Sequence, residues 1–299
     1  MLKKIAIFGV GLIGGSFALA MRRAGAVQTI VGVGRSAASL ARARELGIID
    51  TACTSVAEAL ADADLVLLAA PVAQTEAILR RIEPHLGPHT VVTDAGSTKS
   101  DVAAEARRAL GDKIGQFVPG HPIAGRELNG PEAALVDLYV GKKAVLTPLP
   151  ENAPASVALV AEAWRQCGAL IRQLSPEQHD QVFAAVSHLP HVLAYALVDE
   201  LAQRPQADTL FQYAASGFRD FTRIAGSSPE MWRDITLANQ PALLRELDAY
   251  MAQLARLREL LAAADGGRIE AVYGNAQRAR QNWGRAIEAA EQQSTEGGD

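Results

Sequence analysis

A glycine-rich turn near the start of the chain constrains the fold most: residues 9–14 read GVGLIG, with Gly9, Gly11 and Gly14 in G-x-G-x-x-G spacing. The apolar run KIAIFG leads into this turn, and the helical pattern LIGGSFALAMRRAG follows it. In that context the first glycine allows a tight turn, the second lets the backbone approach a diphosphate, and the third lets the helix pack on the strand. The turn therefore predicts a dinucleotide site, with an ordinary glycine-rich turn as the alternative. The predicted cofactor-binding residues here are Gly9, Gly11, Leu12, Ile13 and Gly14.

The rest of the chain divides by pattern near residue 175. Before it, short apolar runs alternate with helical segments, which implies βαβ units and a mostly parallel sheet. The predicted strands are 4–9, 29–34, 64–71, 90–96, 115–120, 143–148 and 169–174. After it, the segment SPEQHD supplies an N-cap serine and a proline at the first helical position, and no strand pattern follows. We therefore expect an α/β Rossmann-type dinucleotide-binding domain (1–174), an all-helical substrate-binding and dimerisation domain (175–290) and a disordered tail (291–299).

Composition excludes several classes of protein. The 299 residues are 49% hydrophobic and carry a net charge of −4, which fits two globular domains and no nucleic-acid partner. We find no apolar stretch of the ~20 residues that a membrane span needs, and the glycine-rich N-terminal run is not typical of a signal peptide. Cys53 and Cys167 form no CxxC pair and fit a reducing compartment. We expect a cytoplasmic protein without a membrane partner.

The residues after the second predicted strand bear on the choice of dinucleotide. An NAD site normally places an acidic residue there to bind the ribose hydroxyl. This chain has Gly34, Arg35 and Ser36 instead, and no acidic residue before Glu45. Arg35 and Ser36 suit a 2′-phosphate, so NADP is favoured over NAD, with a solvated loop arginine as the alternative. Ser36 is also a candidate N-cap of the next helix.

Two polar segments follow predicted strands, DAGSTKSD (94–101) and GHPIAGRE (120–127), where ligands bind in open α/β sheets. The first would place Ser97, Thr98 and Lys99 beside the nicotinamide, with Lys99 as a cation. His121 in the second is the candidate general base, because an imidazole with a pKa of ~6.5 suits proton transfer near neutral pH. Its glycines and proline predict a rigid loop that is neither helix nor strand. A loop histidine bonded to backbone is the alternative.

The second half offers candidate substrate-binding residues. The segment SHLPH places Ser187 and His191 on one helix face, and Pro190 between them disturbs the hydrogen-bond ladder. Downstream, Arg223 and Trp232 stand among further arginines, and a guanidinium group can bind a carboxylate with two hydrogen bonds. Surface arginines paired with neighbouring aspartates, and a core tryptophan, are the alternatives. No third ligand accompanies the histidine pair, so we expect no metal.

Taken together, GVGLIG, DAGSTK, GHPIAG, VSHLPH, GFRDFTRIA and MWRDI closely resemble the prephenate/arogenate dehydrogenase family of tyrosine biosynthesis, in the family's order and over residues 5 to about 240. The resemblance implies oxidative decarboxylation of prephenate or arogenate by a homodimer formed through the helical domain. It further implies that His121 acts on the ring hydroxyl, that Ser97 bonds to both, and that Arg223 binds a substrate carboxylate. Ser187, His191 and Trp232 match further pocket residues.

The role of Arg126 and two alternative classes of protein stay open. Arg126 occupies a position where some family members have a substrate-contacting threonine, and it does not decide between prephenate and arogenate. Another two-domain hydroxyacid-type dehydrogenase would rely on a lysine in its helical half, but no lysine follows Lys143. A non-catalytic nicotinamide-binding module would need the glycine turn without His121, Ser97 and Arg223.

Overall fold

The computed structural model describes residues 1–126 and 128–296, with side chains described as far as residue 287. Glu127 and residues 297–299 lie outside the described residues. The chain divides into two compact units, Met1–Leu243 and Leu244–Asp299. The larger unit contains all the strands that the structure describes, together with every predicted site residue.

A parallel sheet forms the centre of the larger unit, as the alternation of strand and helix patterns predicts. Its strands lie in the order β3-β2-β1-β4-β5-β6, and every pairing is parallel. They are β1 (Leu2–Phe8), β2 (Val27–Val33), β3 (Thr51–Cys53), β4 (Leu65–Leu68), β5 (Val91–Asp94) and β6 (Phe117–Val118). The edge strand β3 is absent from the sequence prediction, because its three residues include only one buried side chain.

Apolar clusters cover both faces of this sheet. Along β1, Ile5 and Ile7 belong to one buried cluster, whereas Ala6 and Phe8 belong to the other. Side chains alternate between the faces of a strand, and a parallel sheet is buried on both faces. That double burial explains why these strands appear in the sequence as continuous apolar runs. Because the strands are all parallel, their carboxyl ends lie along one edge of the sheet.

A second, smaller sheet corrects the interpretation of the histidine segment. It consists of β7 (Gly120–Pro122), β8 (Lys143–Leu146) and β9 (Leu170–Gln173). β7 and β8 are antiparallel, with His121 opposite Val145, whereas β8 and β9 are parallel. The expectation that His121 lies in neither helix nor strand is therefore wrong. The predicted strand 115–120 is divided at Pro119 between the two sheets.

From Ser175 onward the described residues form helices and no strand, as the change of pattern predicts. Ser175 caps the next helix, and its side chain and that of Gln178 exchange hydrogen bonds with each other's backbone N–H. The helices are α1 (Leu12–Arg23), α2 (Ala37–Glu45), α3 (Val56–Leu60), α4 (Thr75–Ile82), α5 (Ser100–Leu110), α6 (Pro154–Gln166), α7 (Pro176–Phe183), α8 (Leu189–Ala202), α9 (Ala207–Gln212), α10 (Ser216–Thr222), α11 (Pro229–Ala238), α12 (Gln240–Ala262) and α13 (Gly266–Glu296).

Two features of the helical part differ from expectation. A π-helical segment, Ala184–His188, joins α7 to α8, so Pro176–Ala202 is one helical run of 27 residues with a mean hydropathy of 1.4. By length and composition alone this run could cross a membrane, a test that core helices of soluble proteins also pass. The statement that no apolar stretch approaches this length is therefore wrong. The predicted disordered tail begins at residue 291, whereas α13 continues to Glu296.

Candidate active site

The glycine turn has the shape that a bound diphosphate requires. Gly9 follows β1 with a φ of +96°, and a Cβ there would lie 2.5 Å from the Ala69 carbonyl oxygen. A Cβ at Gly14 would lie 2.1 Å from the Gly9 carbonyl oxygen. Gly11, by contrast, caps α1 and has no atom within 4 Å of its Cβ position. The turn is thus closed toward the protein and open at the helix N-terminus, where free N–H groups favour an anion. Of the other residues predicted here, Leu12 is buried and Ile13 half-buried in the first turn of α1.

The end of β2 carries no acidic side chain. Gly34, Arg35 and Ser36 are all exposed there, and the Ser36 hydroxyl accepts a hydrogen bond from the Ser39 N–H at 3.2 Å, which confirms its capping role. The next acidic residue, Glu45, pairs with Arg42 at the far end of α2. The end of β2 therefore presents a guanidinium group and a hydroxyl, but no carboxylate, to a bound ribose.

His121 lies at one end of a hydrogen-bonded chain of three side chains, with His179 in the middle. Its Nδ1 lies 2.8 Å from Nε2 of His179, and Nδ1 of His179 lies 2.9 Å from an Asp180 carboxylate oxygen. Burial lowers the pKa of His121 well below that of a free imidazole, and the neighbouring His179 and Lys99 act in the same direction. The imidazole is therefore neutral at neutral pH and can accept a proton.

A buried ion pair supports the backbone beside His121. The Asp94 carboxylate at the end of β5 accepts hydrogen bonds from the backbone N–H of Gly96 and Gly120, at 2.8 and 3.0 Å, and pairs with Lys99 Nζ at 2.5 Å. Lys99 is fully buried. The expectation that Lys99 places a cation beside the nicotinamide is therefore wrong. Its ammonium group is buried against Asp94, where it stabilises the segment that carries His121.

The helical half adds a second group of aromatic and polar side chains. The π-helical segment ends at His188, two residues before Pro190, in keeping with the expected disturbance of the ladder. Nδ1 of His191 donates to the Ser187 carbonyl at 2.9 Å, and its ring stacks on Trp232 with centroids 3.4 Å apart. Trp232 packs against Val72, which follows β4 of the dinucleotide-binding half.

The remaining predicted residues are accessible. Ser97 is half-buried after β5, and the described contacts include no hydrogen bond between it and His121. Arg126 and Arg223 are exposed. Arg233, one of the neighbouring arginines, pairs with Asp234, as the surface alternative supposes. The assignment of these residues to substrate stays a prediction.

Four residues of the hydrogen-bonded network around His121 were not predicted from the sequence: His179, Asp180, Asp94 and Asn239. Asn239 donates to the Asp180 carbonyl at 2.8 Å and lies 3.0 Å from Nδ1 of His188. Burial lowers the pKa of His188 to about 4. The adjacent His and Asp in SPEQHD were the available signal for two of the four, but the segment was interpreted only as a helix start. Among residues 1–126 and 128–296, no group of three or more His, Cys, Asp or Glu side chains could hold a metal ion.

A diphosphate-binding turn near a neutral imidazole base serves hydride transfer coupled to loss of a hydroxyl proton, so the chain is a nicotinamide-dependent dehydrogenase. The family models for the prephenate dehydrogenase nucleotide-binding domain and dimerization domain match residues 17–173 and 175–273. The chain belongs to the prephenate dehydrogenase family.

Individual relatives cover nearly the whole chain. A cyclohexadienyl dehydrogenase of Zymomonas mobilis is 37% identical over 93% of this chain and 95% of its own. A prephenate dehydrogenase from Aquifex aeolicus, solved with hydroxyphenyl propionate and NAD+, is 38% identical with a TM-score of 0.87 over 94% of this chain and 98% of its own. An arogenate dehydrogenase of Synechocystis is 31% identical with a TM-score of 0.80, over 94% and 99% of the two chains. Both solved structures resemble this chain in fold as well as in sequence.

Proposed function

We propose that the chain oxidatively decarboxylates prephenate, arogenate or both, and so forms 4-hydroxyphenylpyruvate or tyrosine. The observation that carries the proposal is the neutral His121 imidazole at the carboxyl edge of the sheet, in a chain whose relatives include prephenate, cyclohexadienyl and arogenate dehydrogenases. The bound nicotinamide supplies the acceptor for the hydride from the ring carbon that carries the hydroxyl. The hydroxyl proton passes to His121, and loss of the ring carboxylate as CO₂ leaves an aromatic phenolate. The phenolate oxygen takes the proton back from His121, which gives the phenol of the product and restores the neutral imidazole.

The other predicted residues take supporting roles in this proposal. Ser97 follows β5 at the same edge of the sheet and orients the ring hydroxyl together with His121. Arg223 binds a substrate carboxylate, which a guanidinium group can do with two parallel hydrogen bonds. The pocket is completed by Ser187, His191, Trp232 and Arg126.

We further propose that NADP is preferred over NAD. Support comes from exposed Arg35 and Ser36 at the end of β2, where a carboxylate is absent among the described residues. Arg35→Ala should raise the Michaelis constant for NADP about 10-fold and leave that for NAD unchanged, because one charge-assisted contact is lost. The matched control is Arg44→Ala, which removes an exposed arginine from the last turn of α2. An unchanged constant for NADP would overturn the preference.

We further propose a cytoplasmic homodimer with a domain boundary near residues 174 and 175. The dimerization-domain model, which matches residues 175–273, supports the dimer and the boundary. Helix α12 presents exposed apolar side chains along one face, namely Leu244, Met251, Leu254 and Leu261. In the proposed dimer this face is covered by the second copy. Light scattering should report a dimer for the native chain and a monomer for Met251→Glu/Leu254→Glu. Arg256→Glu, on another face of α12, should leave the dimer intact.

Initial rates of reduced-nicotinamide formation test the reaction itself. They should be measured with prephenate and arogenate, each combined with NADP and NAD. Turnover in any combination supports the dehydrogenase, and the pattern identifies its substrate and cofactor. His121→Asn separates an enzyme from a binding module, because turnover should fall by ~10²–10⁴-fold while cofactor still binds. A folded native chain that binds cofactor but turns over neither substrate would refute the proposed reaction.

A further inference from the structure

We propose that His179 and Asp180 act as positioning residues that hold His121 in a single tautomer, with the proton on Nδ1 and the free lone pair on Nε2. The proposal rests on the proposed function, since it assigns the proton-accepting atom of the same imidazole. Its basis is the unbroken line of hydrogen bonds from His121 Nδ1 through the His179 ring to the Asp180 carboxylate, at 2.8 and 2.9 Å.

The direction of these hydrogen bonds is fixed at the carboxylate end. The two Asp180 oxygens accept backbone N–H bonds from Lys99 at 2.9 Å and Ser100 at 2.8 Å. Burial opposes the charge on Asp180, but the hydrogen bonds that it accepts, the one from His179 foremost, outweigh burial, so its pKa is lowered. Asp180 is therefore ionised and only accepts hydrogen bonds.

Because Asp180 only accepts, the donor and acceptor roles of the His179 and His121 rings are also determined. Nδ1 of His179 donates to Asp180, and because burial lowers the pKa of His179, its ring is neutral and its Nε2 carries a lone pair. That lone pair accepts the N–H of His121 Nδ1. The remaining nitrogen of His121, Nε2, is thus the atom left to take a proton from substrate.

Packing keeps the three groups in line. His121 lies in β7 opposite Val145, and His179 is fully buried. Phe183 contacts both rings, with centroids 5.0 Å from His121 and 4.4 Å from His179. When Nε2 of His121 takes up the hydroxyl proton, the new positive charge lies on the same hydrogen-bonded line as the Asp180 carboxylate, which stabilises it.

Substitution at His179 tests this assignment more cleanly than substitution at Asp180, which also holds the backbone at the start of α5. His179→Gln can keep the direction of the line, because its amide oxygen can accept from His121 and its amide nitrogen can donate to Asp180. His179→Leu removes both hydrogen bonds. Phe183→Leu is the packing control, since it alters the contact with both rings but leaves the hydrogen bonds in place.

The first readout needs no turnover. In protein labelled with ¹⁵N-histidine, the His121 nitrogen shifts at neutral pH should report the Nδ1–H tautomer in the native chain, in His179→Gln and in Phe183→Leu. In His179→Leu they should report a mixture of tautomers. The His121→Asn spectrum identifies the signals. A tautomer mixture in the native chain, or an unchanged single tautomer in His179→Leu, would overturn the proposal.

The second readout is kinetic. We expect kcat to fall on the order of 100-fold in His179→Leu and less than about 10-fold in His179→Gln, because only the former loses the orientation of the base. Equal losses in the two variants would contradict the proposal. If the native chain has no turnover with either substrate, the proposed function fails, while the nitrogen shifts still decide the positioning role.

Discussion

Two substitutions in the glycine turn should separate folding from cofactor binding. Gly11→Ala and Gly14→Ala each add one methyl group to a turn of six residues. The Cβ introduced by Gly14→Ala would meet the Gly9 carbonyl oxygen at 2.1 Å, Ile7 Cγ2 at 2.9 Å and Ala69 Cβ at 3.1 Å. The Cβ introduced by Gly11→Ala would meet no atom within 4 Å. The two variants therefore place the same group once against backbone and once into open space.

The distances set the size of each effect. Ordinary contact begins near 3.4 Å, so the β1 turn and α1 must separate by more than 1 Å to admit the methyl group of Gly14→Ala. Overpacking of this kind costs ~1–3 kcal/mol, and the cost should lie at the upper end because the obstructing atom is backbone. At Gly11 the φ is −105°, which any residue adopts, so the free energy of unfolding should change by less than ~0.5 kcal/mol. A diphosphate must instead retreat from the new methyl group, and we expect at least a ~10-fold weaker Kd, equivalent to ~1.4 kcal/mol.

Urea unfolding and titration of cofactor fluorescence measure the two quantities on the same protein samples. Gly14→Ala should shift the urea midpoint downward, whereas Gly11→Ala should keep the native midpoint and lose affinity. Ala24, at the end of α1, offers a control position, since Ala24→Ser changes an exposed residue away from the turn. A Gly11→Ala protein with the native Kd would refute the placement of the diphosphate. A Gly14→Ala protein with the native midpoint would refute the steric argument.

Three further predictions concern buried charge. Burial lowers the pKa of His188 from 6.5 to about 4, so as the pH falls the unfolded chain takes up a proton before the folded chain does. The contribution of His188 to the free energy of unfolding is therefore fully present above pH 6.5, and up to ~3 kcal/mol of it is lost toward pH 4. Urea midpoints at pH 7.5 and 4.5 measure this loss, and His188→Gln should reduce it. Lys99→Met should lower the free energy of unfolding by ~3–5 kcal/mol, because it leaves the Asp94 carboxylate buried and unpaired. Adding Asp94→Asn should restore part of that loss. If Lys99→Met unfolds with the native free energy, the ion pair does not stabilise the fold. Burial, with nearby carboxylates, raises the pKa of Glu105 from 4.5 to about 6, so its charged form destabilises the folded chain. Glu105→Gln should therefore stabilise the fold by ~1 kcal/mol at pH 8, where Glu105 is charged, and should have no effect at pH 4, where it is protonated. Thermal melts at both pH values measure the difference.

Local patterns explain why the dinucleotide half could be predicted. The strand β1, the glycine turn and α1 are contiguous, so their spacing alone specifies the βα unit. Buried parallel strands leave continuous apolar runs, which reveal β2, β4 and β5. β3 leaves no such run, because two of its three residues are exposed at the sheet edge.

Non-local pairing explains the errors around His121. Its strand is three residues long and exists only because Lys143–Leu146 lies beside it, which no property of GHPIAG indicates. In the same way, Lys99 is indistinguishable from a ligand-binding lysine until Asp94 is seen to face it. Short pairings and buried ion pairs depend on tertiary contacts, and the sequence of one segment does not encode its partner.

Asp180 illustrates how one missed residue joins the two halves of the site. Its carboxylate accepts the backbone N–H of Lys99 and Ser100 at the start of α5, and it orients His179 from its own helix, α7. Asn239, at the end of α11, donates to the Asp180 carbonyl. The position of the His121 base is therefore set by helices from both the dinucleotide-binding and the helical halves. A change that loosens α7 against α5 should consequently disturb the imidazole before it disturbs the parallel sheet, because the sheet has its own buried apolar clusters.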